Sequence, residues 1–576
     1  VKLIVAKTAG FCMGVRRAVE MALDAPAQYQ KPIFTYGPLI HNPQVLALFA
    51  EKGVTVLDQI PQSGHGTVII RAHGVPPEDK LALKKAGFNV IDATCPRVVK
   101  VQSIIKRHAR KGYGVIIVGD ADHPEVVGLL GHAGDRGHVV KSLQELAALP
   151  GFDDAIIVAQ TTQNNSFYAE VAAWAADHQP HYTVFETICD STDKRQREVR
   201  RIAHAADAVI VVGGKSSGNT RRLAEIVKAS GKPVYHVETE AELDPAQLAR
   251  AQTIGITAGA STPSWITKRI IRTVEQIPLQ GEQGWRSHFL RLQRFLLLTN
   301  IYLALGAGCL AYAVAGLQGF PISSSALAAA VLYVLSMHIL NHLTGKAEAK
   351  YNDPDRERFY TRNKTALITL ALSAGAIGLV AAFQMGPVPF WTLFTMSLLG
   401  LSYNLRIVPQ WRPSGTRMRR IRDIPGSKTI LIALAWGVTT ALLPALSAGY
   451  CHLGSCLTAV AWTIGLVFSR TAFFDILDMQ GDRIVGKETI PLLLGPKRSF
   501  QLLKGLLVIG AVLPPIAGLW GLFSPAAFVM AVAPIFLWMV VVGHEQGNVL
   551  PGIRMEFQVE SLFVLCGALS WMYTLM

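Results

Sequence analysis

The sequence predicts two dissimilar halves: an α/β half built from three similar βα units, then an all-α polytopic membrane half of about nine transmembrane helices. Three observations carry this reading. Up to about Gln283 charged residues are interspersed with short apolar runs, whereas from Phe295 onward long uncharged stretches are separated by basic clusters. A set of local patterns recurs three times in the first half at nearly constant spacing. At 576 residues the chain is also too long for one core.

In the first half, apolar runs such as Thr67–Ile70, Ala155–Val158 and Thr253–Ile256 read as strands, and Arg97–Lys111 and Asn219–Ser230 as helices. Strands alternating with helices argue for parallel sheets, in which ligands collect at the carboxyl ends of the strands. The expected divisions are 1–280 for this half, a short polar tether over 281–294, and a membrane domain over 295–576. Val1-Lys2-Leu3-Ile4-Val5 reads directly as a strand with no leader pattern, so this half is expected in the cytosol.

The formal charge of +15 suggests nucleic acid at first sight, but residues 282–576 hold 23 Lys and Arg against 13 Asp and Glu, a surplus of 10. Most of the excess therefore belongs to membrane topology, and no nucleic-acid partner is expected.

Cys12, Cys95 and Cys189 lie in the first half. In a reducing cytosol they are not expected to pair as disulfides, and spacings of 83 and 94 residues fit no short zinc motif. Their surroundings repeat instead. Each is followed 28 or 29 residues later by a polar residue at a strand-to-helix turn: His41, His123 and Ser217. A second turn recurs after a strand in each unit, at Arg71-Ala72-His73-Gly74, Gln160-Thr161-Thr162 and Ala258-Gly259-Ala260-Ser261.

If the three units face a common axis, three thiolates and a ring of His, Thr, Ser and Asn meet there. Three thiolates can hold a cubane iron–sulfur cluster with one iron left without a protein sulfur. His41, His73, Ser217 and Asn219 lie at turns whose following helix N-termini offer free N–H groups, which suits phosphate or diphosphate. Glu125, two residues after His123, is the carboxylate placed to donate a proton, with Thr161 as relay. Taken singly, a His-Pro-Glu at a helix start is more often a surface residue favouring the helix dipole, and a lone cysteine a small buried hydrophobe; the threefold context overturns both.

Gly10-Phe11-Cys12-Met13-Gly14-Val15, His41-Asn42-Pro43, Arg71-Ala72-His73-Gly74-Val75, Asp92-Ala93-Thr94-Cys95-Pro96, His123-Pro124-Glu125-Val126, Gln160-Thr161-Thr162, Ile188-Cys189, Arg195-Gln196 and Thr257-Ala258-Gly259-Ala260-Ser261 together closely resemble the LytB family of 4-hydroxy-3-methylbut-2-enyl diphosphate reductases. The resemblance covers roughly residues 1–280. It implies two-electron reductive dehydroxylation of the allylic alcohol diphosphate to isopentenyl and dimethylallyl diphosphates, the last step of the methylerythritol phosphate route. By matching position, Cys12, Cys95 and Cys189 would bind a [4Fe-4S] cluster. His41, His73, His123, Thr161, Ser217, Gly218, Asn219 and Ser261 would contact the substrate, and Glu125 with Thr161 would deliver a proton. A ferredoxin or flavodoxin would supply electrons. Gly218 departs from the family, which often has a second serine there. A non-catalytic iron–sulfur carrier or sensor is the competing expectation, and it would need neither Glu125 nor the diphosphate ring.

In the second half, apolar stretches near Phe295–Leu317, Ser323–Leu343, Thr365–Phe383, Val388–Leu405, Thr429–Leu446, Leu457–Phe468, Leu506–Phe523, Pro525–Val542 and Phe557–Met576 give the nine expected crossings. Turns around Gly319, Gly386, Gly449 and Ser524 carry no Lys or Arg, whereas Lys346–Lys364, Arg406–Lys428, Arg470–Lys504 and Arg554 hold nearly all of them. That positive-inside pattern agrees with a cytosolic first half. Asp475, Asp478 and Asp482, at i, i+3 and i+7, share one helical face that can hold Mg²⁺ and through it a diphosphate.

With Gly486-Lys487-Glu488-Thr489-Ile490-Pro491 following, this segment resembles the second aspartate motif of the UbiA-type prenyltransferases. The resemblance implies prenyl transfer to an aromatic or lipid acceptor, with prenyl diphosphate and membrane lipid as partners. The family's first motif, N-D-x-x-D-x-x-x-D, is reduced at Asn341-His342-Leu343-Thr344-Gly345 to its asparagine, with Glu348, Asp353 and Asp355 nearby but off register. A module that anchors the first half or binds prenyl lipids without transferring them is the rival expectation.

Overall fold

The computed structural model describes residues 2–277, 285–344, 351–403, 406–410, 417–421, 424–450, 452–485, 487–547 and 552–575. The chain divides into two compact units, Val1–Gly281 and Glu282–Met576.

The first unit contains twelve strands: β1 (Lys2–Val5), β2 (Ile33–Tyr36), β3 (Val54–Leu57), β4 (Thr67–Ile70), β5 (Asn89–Asp92), β6 (Gly114–Val118), β7 (Gly137–Val140), β8 (Ala155–Ala159), β9 (Thr183–Val184), β10 (Ala208–Val212), β11 (Val234–Val237) and β12 (Thr253–Ala258). They form three four-stranded sheets in the orders β3-β2-β4-β5, β7-β6-β8-β9 and β1-β12-β10-β11. Every pairing in them is parallel. The inner strands β6, β8 and β10 are apolar and buried along their whole length, as strands covered by helices on both faces must be. Val98, Val101, Ile105, Val126 and Leu129 pack on one face of the β6–β8 pair. Tyr168, Val171 and Ala175 pack on the other.

The chain order hides the symmetry. β1 begins the sequence yet completes the third sheet, beside β12. Each sheet therefore has one edge strand, β1, β5 or β9, that runs into a cysteine at the N-cap of a helix: Cys12 before Met13–Gln28, Cys95 before Pro96–Ala109 and Cys189 before Asp190–Ala205. The two inner strands of each sheet run into the other predicted turns.

The second unit is helical, with a two-stranded antiparallel pair at Arg406–Gln410 and Arg417–Arg420. Among the described residues seven helices are long and apolar enough to cross a membrane: Ile301–Gln318, Ser324–Thr344, Lys364–Gln384, Ser427–Ser447, Leu453–Val485, Pro496–Leu519 and Ala527–Glu545. The expected count of nine is not confirmed: seven such helices are found among the described residues. Pro387–Ser402 has 16 residues and spans only about 24 Å against a hydrocarbon core of about 30 Å. Ile553–Leu575 carries Arg554, Glu556 and Glu560, which dilute its apolar character.

Two local features lie at the start of this unit. Trp285–Leu298 is a helix, which includes residues 285–294 of the segment read as a tether; it contains no Pro or Gly after Gly284 to stop a helix. The first crossing then begins at Ile301 instead of Phe295, because Asn300 adopts a left-handed φ of 58° that breaks the helix. The Asn300 side chain donates to the Tyr360 hydroxyl at 2.7 Å, which holds the break.

Candidate active site

The carboxyl ends of the inner strands bring the histidines together. His41 follows β2, His73 follows β4 and His123 follows β6. Their ring centroids lie 4.9 Å (His41–His73), 5.4 Å (His73–His123) and 5.8 Å (His41–His123) apart. One ring nitrogen from each lies within 4.8 Å of the other two. His123 caps the helix Pro124–Ala133, its Nδ1 accepting from the Glu125 N–H at 3.1 Å.

The third sheet closes the ring. Ser217 and Asn219 open the helix Gly218–Ala229 after β10, and Ser261 follows β12. The Ser261 hydroxyl donates to Ser217 Oγ at 3.3 Å and approaches the His41 carbonyl at 3.2 Å, which ties the third sheet to the first. Gly214 permits this approach, since a Cβ there would stand 2.6 Å from the same carbonyl oxygen. At Gly218 a Cβ would sit 3.5 Å from the His123 ring, an ordinary contact, so the missing serine is not excluded by crowding.

Glu125 is not the surface residue that its motif alone suggests: it is 2% exposed. Its carboxylate accepts from the Thr161 N–H at 2.6 Å and from Thr161 Oγ1 at 2.9 Å. Burial pushes its pKa up to about 7, against the pull of the two Thr161 bonds. A carboxyl group that is part protonated at neutral pH is matched to proton donation.

The three imidazoles are shifted the other way. Burial lowers His41, His73 and His123, the last to about 4; neighbouring histidines add to it at His73 and His123, nearby Arg71, Arg221 and Arg222 add to it across the cluster, and Asp120 partly offsets it at His123. His41 Nε2, His73 Nδ1 and Asn219 Nδ2 are buried hydrogen-bonding atoms without a protein partner. Unpartnered donors among fixed cations suit a multiply charged anion. Arg71, Arg221 and Arg222 were not singled out from sequence, although Arg71 stands two residues before His73 in a turn that was.

The three cysteines converge on the same region. Cys12 N–H donates to the Ala260 carbonyl, Cys95 N–H to Ala72 and Cys189 N–H to Thr161, so each cysteine is pinned to a turn that also carries a pocket residue. A Cβ on Gly14 would lie 2.4 Å from Cys95 Sγ; the absent side chain lets the Cys12 helix start against Cys95. Burial raises the Cys95 thiol, and the neighbouring Cys12 and Cys189 raise it further. Three sulfurs sensing one another at three helix N-termini form a donor set suited to a thiolate-bound metal cluster.

In the second unit Asp475, Asp478 and Asp482 lie on the helix Leu453–Val485. Asp475 accepts from Thr429 Oγ1 and is 5% exposed; Asp482 is 2% exposed. Asn352 Nδ2 donates to Asp482 Oδ1 at 2.9 Å, while Asp482 Oδ2 is buried without a partner. Gly481 makes room for Asn352, whose Oδ1 would lie 1.7 Å from a Cβ there. Asn352, beyond the degenerate first motif, was not anticipated. Asp353 and Asp355 are tied into ion pairs with Arg356 and with Arg294 and Arg358. Glu348 lies outside the described residues.

Comparison with known proteins agrees with both halves. Residues 3–275 match the family model described as LytB protein, and residues 301–548 match that of the UbiA prenyltransferase family. The 4-hydroxy-3-methylbut-2-enyl diphosphate reductase of Pelobacter propionicus is 43% identical over 276 residues, covering 48% of this chain and 98% of the relative. The enzyme of that name from Aquifex aeolicus is 42% identical over 285 residues, covering 48% and 97%. A solved UbiA homolog from Aeropyrum pernix K1 is 17% identical with a TM-score of 0.39, covering 48% of this chain and 99% of the homolog. The chain therefore belongs to the LytB family through its first half and carries a fused UbiA prenyltransferase family domain in its second.

Proposed function

We propose that the first half is a 4-hydroxy-3-methylbut-2-enyl diphosphate reductase that accepts electrons one at a time from a small carrier such as a ferredoxin or flavodoxin. The reaction balances as allylic alcohol diphosphate plus two electrons and two protons, giving isopentenyl or dimethylallyl diphosphate plus water. The observation that carries the reading is the buried Glu125–Thr161 pair beside a cluster of three histidines, two of them with an unpartnered ring nitrogen, and three converging cysteines. An electron carrier or sensor needs no such acid.

A [4Fe-4S] cluster on Cys12, Cys95 and Cys189 would supply the electrons and a Lewis-acidic iron. The residues fit it: three helix-capping thiols, one from each sheet, with the glycine space at Gly14 described above. His41, His73, His123, Ser217, Asn219 and Ser261 grip the diphosphate and fix the allylic hydroxyl relative to Glu125. Glu125, oriented by Thr161, gives the proton that lets the hydroxyl depart as water. Gly218 leaves its share of the anion to backbone N–H groups or water.

The second half is a membrane domain, and we propose that it transfers a prenyl group from a prenyl diphosphate to a lipid or aromatic acceptor. Asp475, Asp478 and Asp482 would hold Mg²⁺, with Asn352 orienting Asp482. Two carboxylates buried at a membrane-spanning helix, one with an unpartnered oxygen, support a cation there. The alternation of basic and uncharged loops supports a cytoplasmic location for the reductase half.

Anaerobic turnover of the allylic diphosphate by the full chain, with iron and sulfide quantified in the same sample, tests the reductase. Cluster without turnover would favour the carrier or sensor. Prenyl transfer in membranes, lost in Asp478→Asn, tests the second activity; equal product from both proteins excludes the aspartates as its site.

A further inference from the structure

The three cysteine-capped helices are linked in a closed cycle by arginines. Arg17, on the helix after Cys12, donates to the Thr94 carbonyl beside Cys95 at 3.1 Å. Arg97, on the helix after Cys95, pairs with Asp190 beside Cys189. Arg195, on the helix after Cys189, donates to the Gly10 carbonyl near Cys12. Each link joins one helix start to the next cysteine, so together they hold the three sulfurs in register.

Arg195 differs from the other two. Arg17 and Arg97 are exposed, whereas Arg195 is 3% exposed. Its Nη atoms bond neutral oxygens, those of Gly10 and Ser191, and its Nε–H is buried without an acceptor. Glu198, one turn on, is the nearby carboxylate, but its oxygens take the Lys7 and Thr8 N–H groups and the Thr8 hydroxyl, and it pairs with Arg201. Besides Glu198, the described groups that act electrostatically on the guanidinium are the sulfurs of Cys12 and Cys189. A buried cation without a paired carboxylate is costly unless a neighbouring anion compensates it.

We propose that Arg195 is a positioning residue that serves as the fixed counter-ion of the cluster held by the three cysteines, its Nε–H donating to a cysteine sulfur. This rests on the cluster reading above. A fixed positive charge favours the reduced, more negative state of a cluster, as does each hydrogen bond to its sulfurs. Arg195 thereby raises the potential at which the cluster accepts electrons. Arginine suits the task because it stays charged when buried and can bond two backbone or side-chain oxygens while a third N–H faces elsewhere.

The test is an anaerobic redox titration of the full chain in detergent, following the electron paramagnetic resonance of the reduced cluster. Arg195→Gln, which removes the charge but keeps a donor, should move the midpoint to more negative potential; Arg195→Lys, which keeps the charge, should stay nearer the wild type. A Gln midpoint equal to that of the wild type, or a Lys shift as large as the Gln shift, overturns the proposal. Should Arg195→Gln hold no cluster, wild-type protein labelled with ¹⁵N-arginine decides. A weak ¹⁵N coupling to the reduced cluster that vanishes in Arg195→Lys supports the contact, and its absence from the wild type refutes it. Wild-type protein with no cluster signal at all would instead remove the cluster reading, a distinguishable failure.

Discussion

Glu125→Gln should lower activity and raise stability together, and the structure sets both magnitudes. The substitution keeps the side-chain volume, and the amide oxygen can still accept from Thr161. What it removes is a transferable proton. Losing a general acid costs about 10²–10⁴ in kcat, or about 3–5 kcal/mol in the barrier. The stability effect has the opposite sign. With a carboxyl raised from 4.5 to about 7, the side chain is neutral in both states below pH 4.5. As pH climbs towards 7 the unfolded chain releases a proton that the folded chain keeps, so stability falls, and the loss levels off above pH 7 at about 3 kcal/mol. Glutamine has no such loss. The variant should therefore match the wild type near pH 5 and unfold at higher temperature near pH 8. The assay is anaerobic turnover of the full chain in detergent across pH 5–9, with thermal unfolding on the same samples. Wild-type kcat should also decline above about pH 7, where the acid is lost. A variant that keeps more than a tenth of wild-type kcat, or that is less stable than the wild type at pH 8, would refute the reasoning.

Other perturbations test neighbouring parts of the site. Burial and nearby positive charge keep His41, His73 and His123 uncharged at neutral pH, and a bound diphosphate favours their charged forms; binding should take up protons, seen as a buffer-dependent heat in calorimetry, and His73→Asn should shrink that uptake while raising KM about 10–100-fold. Gly218→Ser meets the His123 ring only at contact distance, so it should fold normally and change kcat/KM by no more than a few fold; a large loss would show that the glycine is needed. Gly481→Ala drives a methyl group into Asn352 and should abolish the 2.9 Å bond to Asp482, lowering prenyl transfer at least 10-fold with reductase turnover unchanged in the same preparation. Cys95→Ser should lose cluster iron and turnover together, and an intact cluster in that variant would exclude Cys95 as a ligand.

Much was legible from local chemistry. The apolar runs Val68–Ile70 of β4 and Ala155–Ala159 of β8 specify buried parallel strands because a strand covered on both faces has no polar side to show. The 28- and 29-residue offsets flagged Cys12, Cys95, Cys189, His41, His123 and Ser217 as equivalent positions, and helix-opening Pro and Asn residues located the turns. Membrane helices were readable as apolar runs; of the nine expected, seven are long and apolar enough among the described residues. Whether Pro387–Ser402 and Ile553–Leu575 cross depends on helix length and on where Arg554, Glu556 and Glu560 reside, and a run of apolar letters does not resolve either.

What the sequence by itself determined, then, was the inventory: three repeated turns, three thiols, one acid and a membrane half with an aspartate face. The reason is that strand and helix periodicity and turn chemistry are local. Tertiary structure alone decided the closure. β1 joins β12 across some 250 residues, which makes each cysteine the end of an edge strand and assigns it to the sheet before the one its sequence repeat suggests. The same closure buries Glu125 against Thr161, raising its pKa, and buries Arg195 with no carboxylate bonded to it. Burial and electrostatic reach depend on which distant segments pack together, and no spacing along the chain contains that.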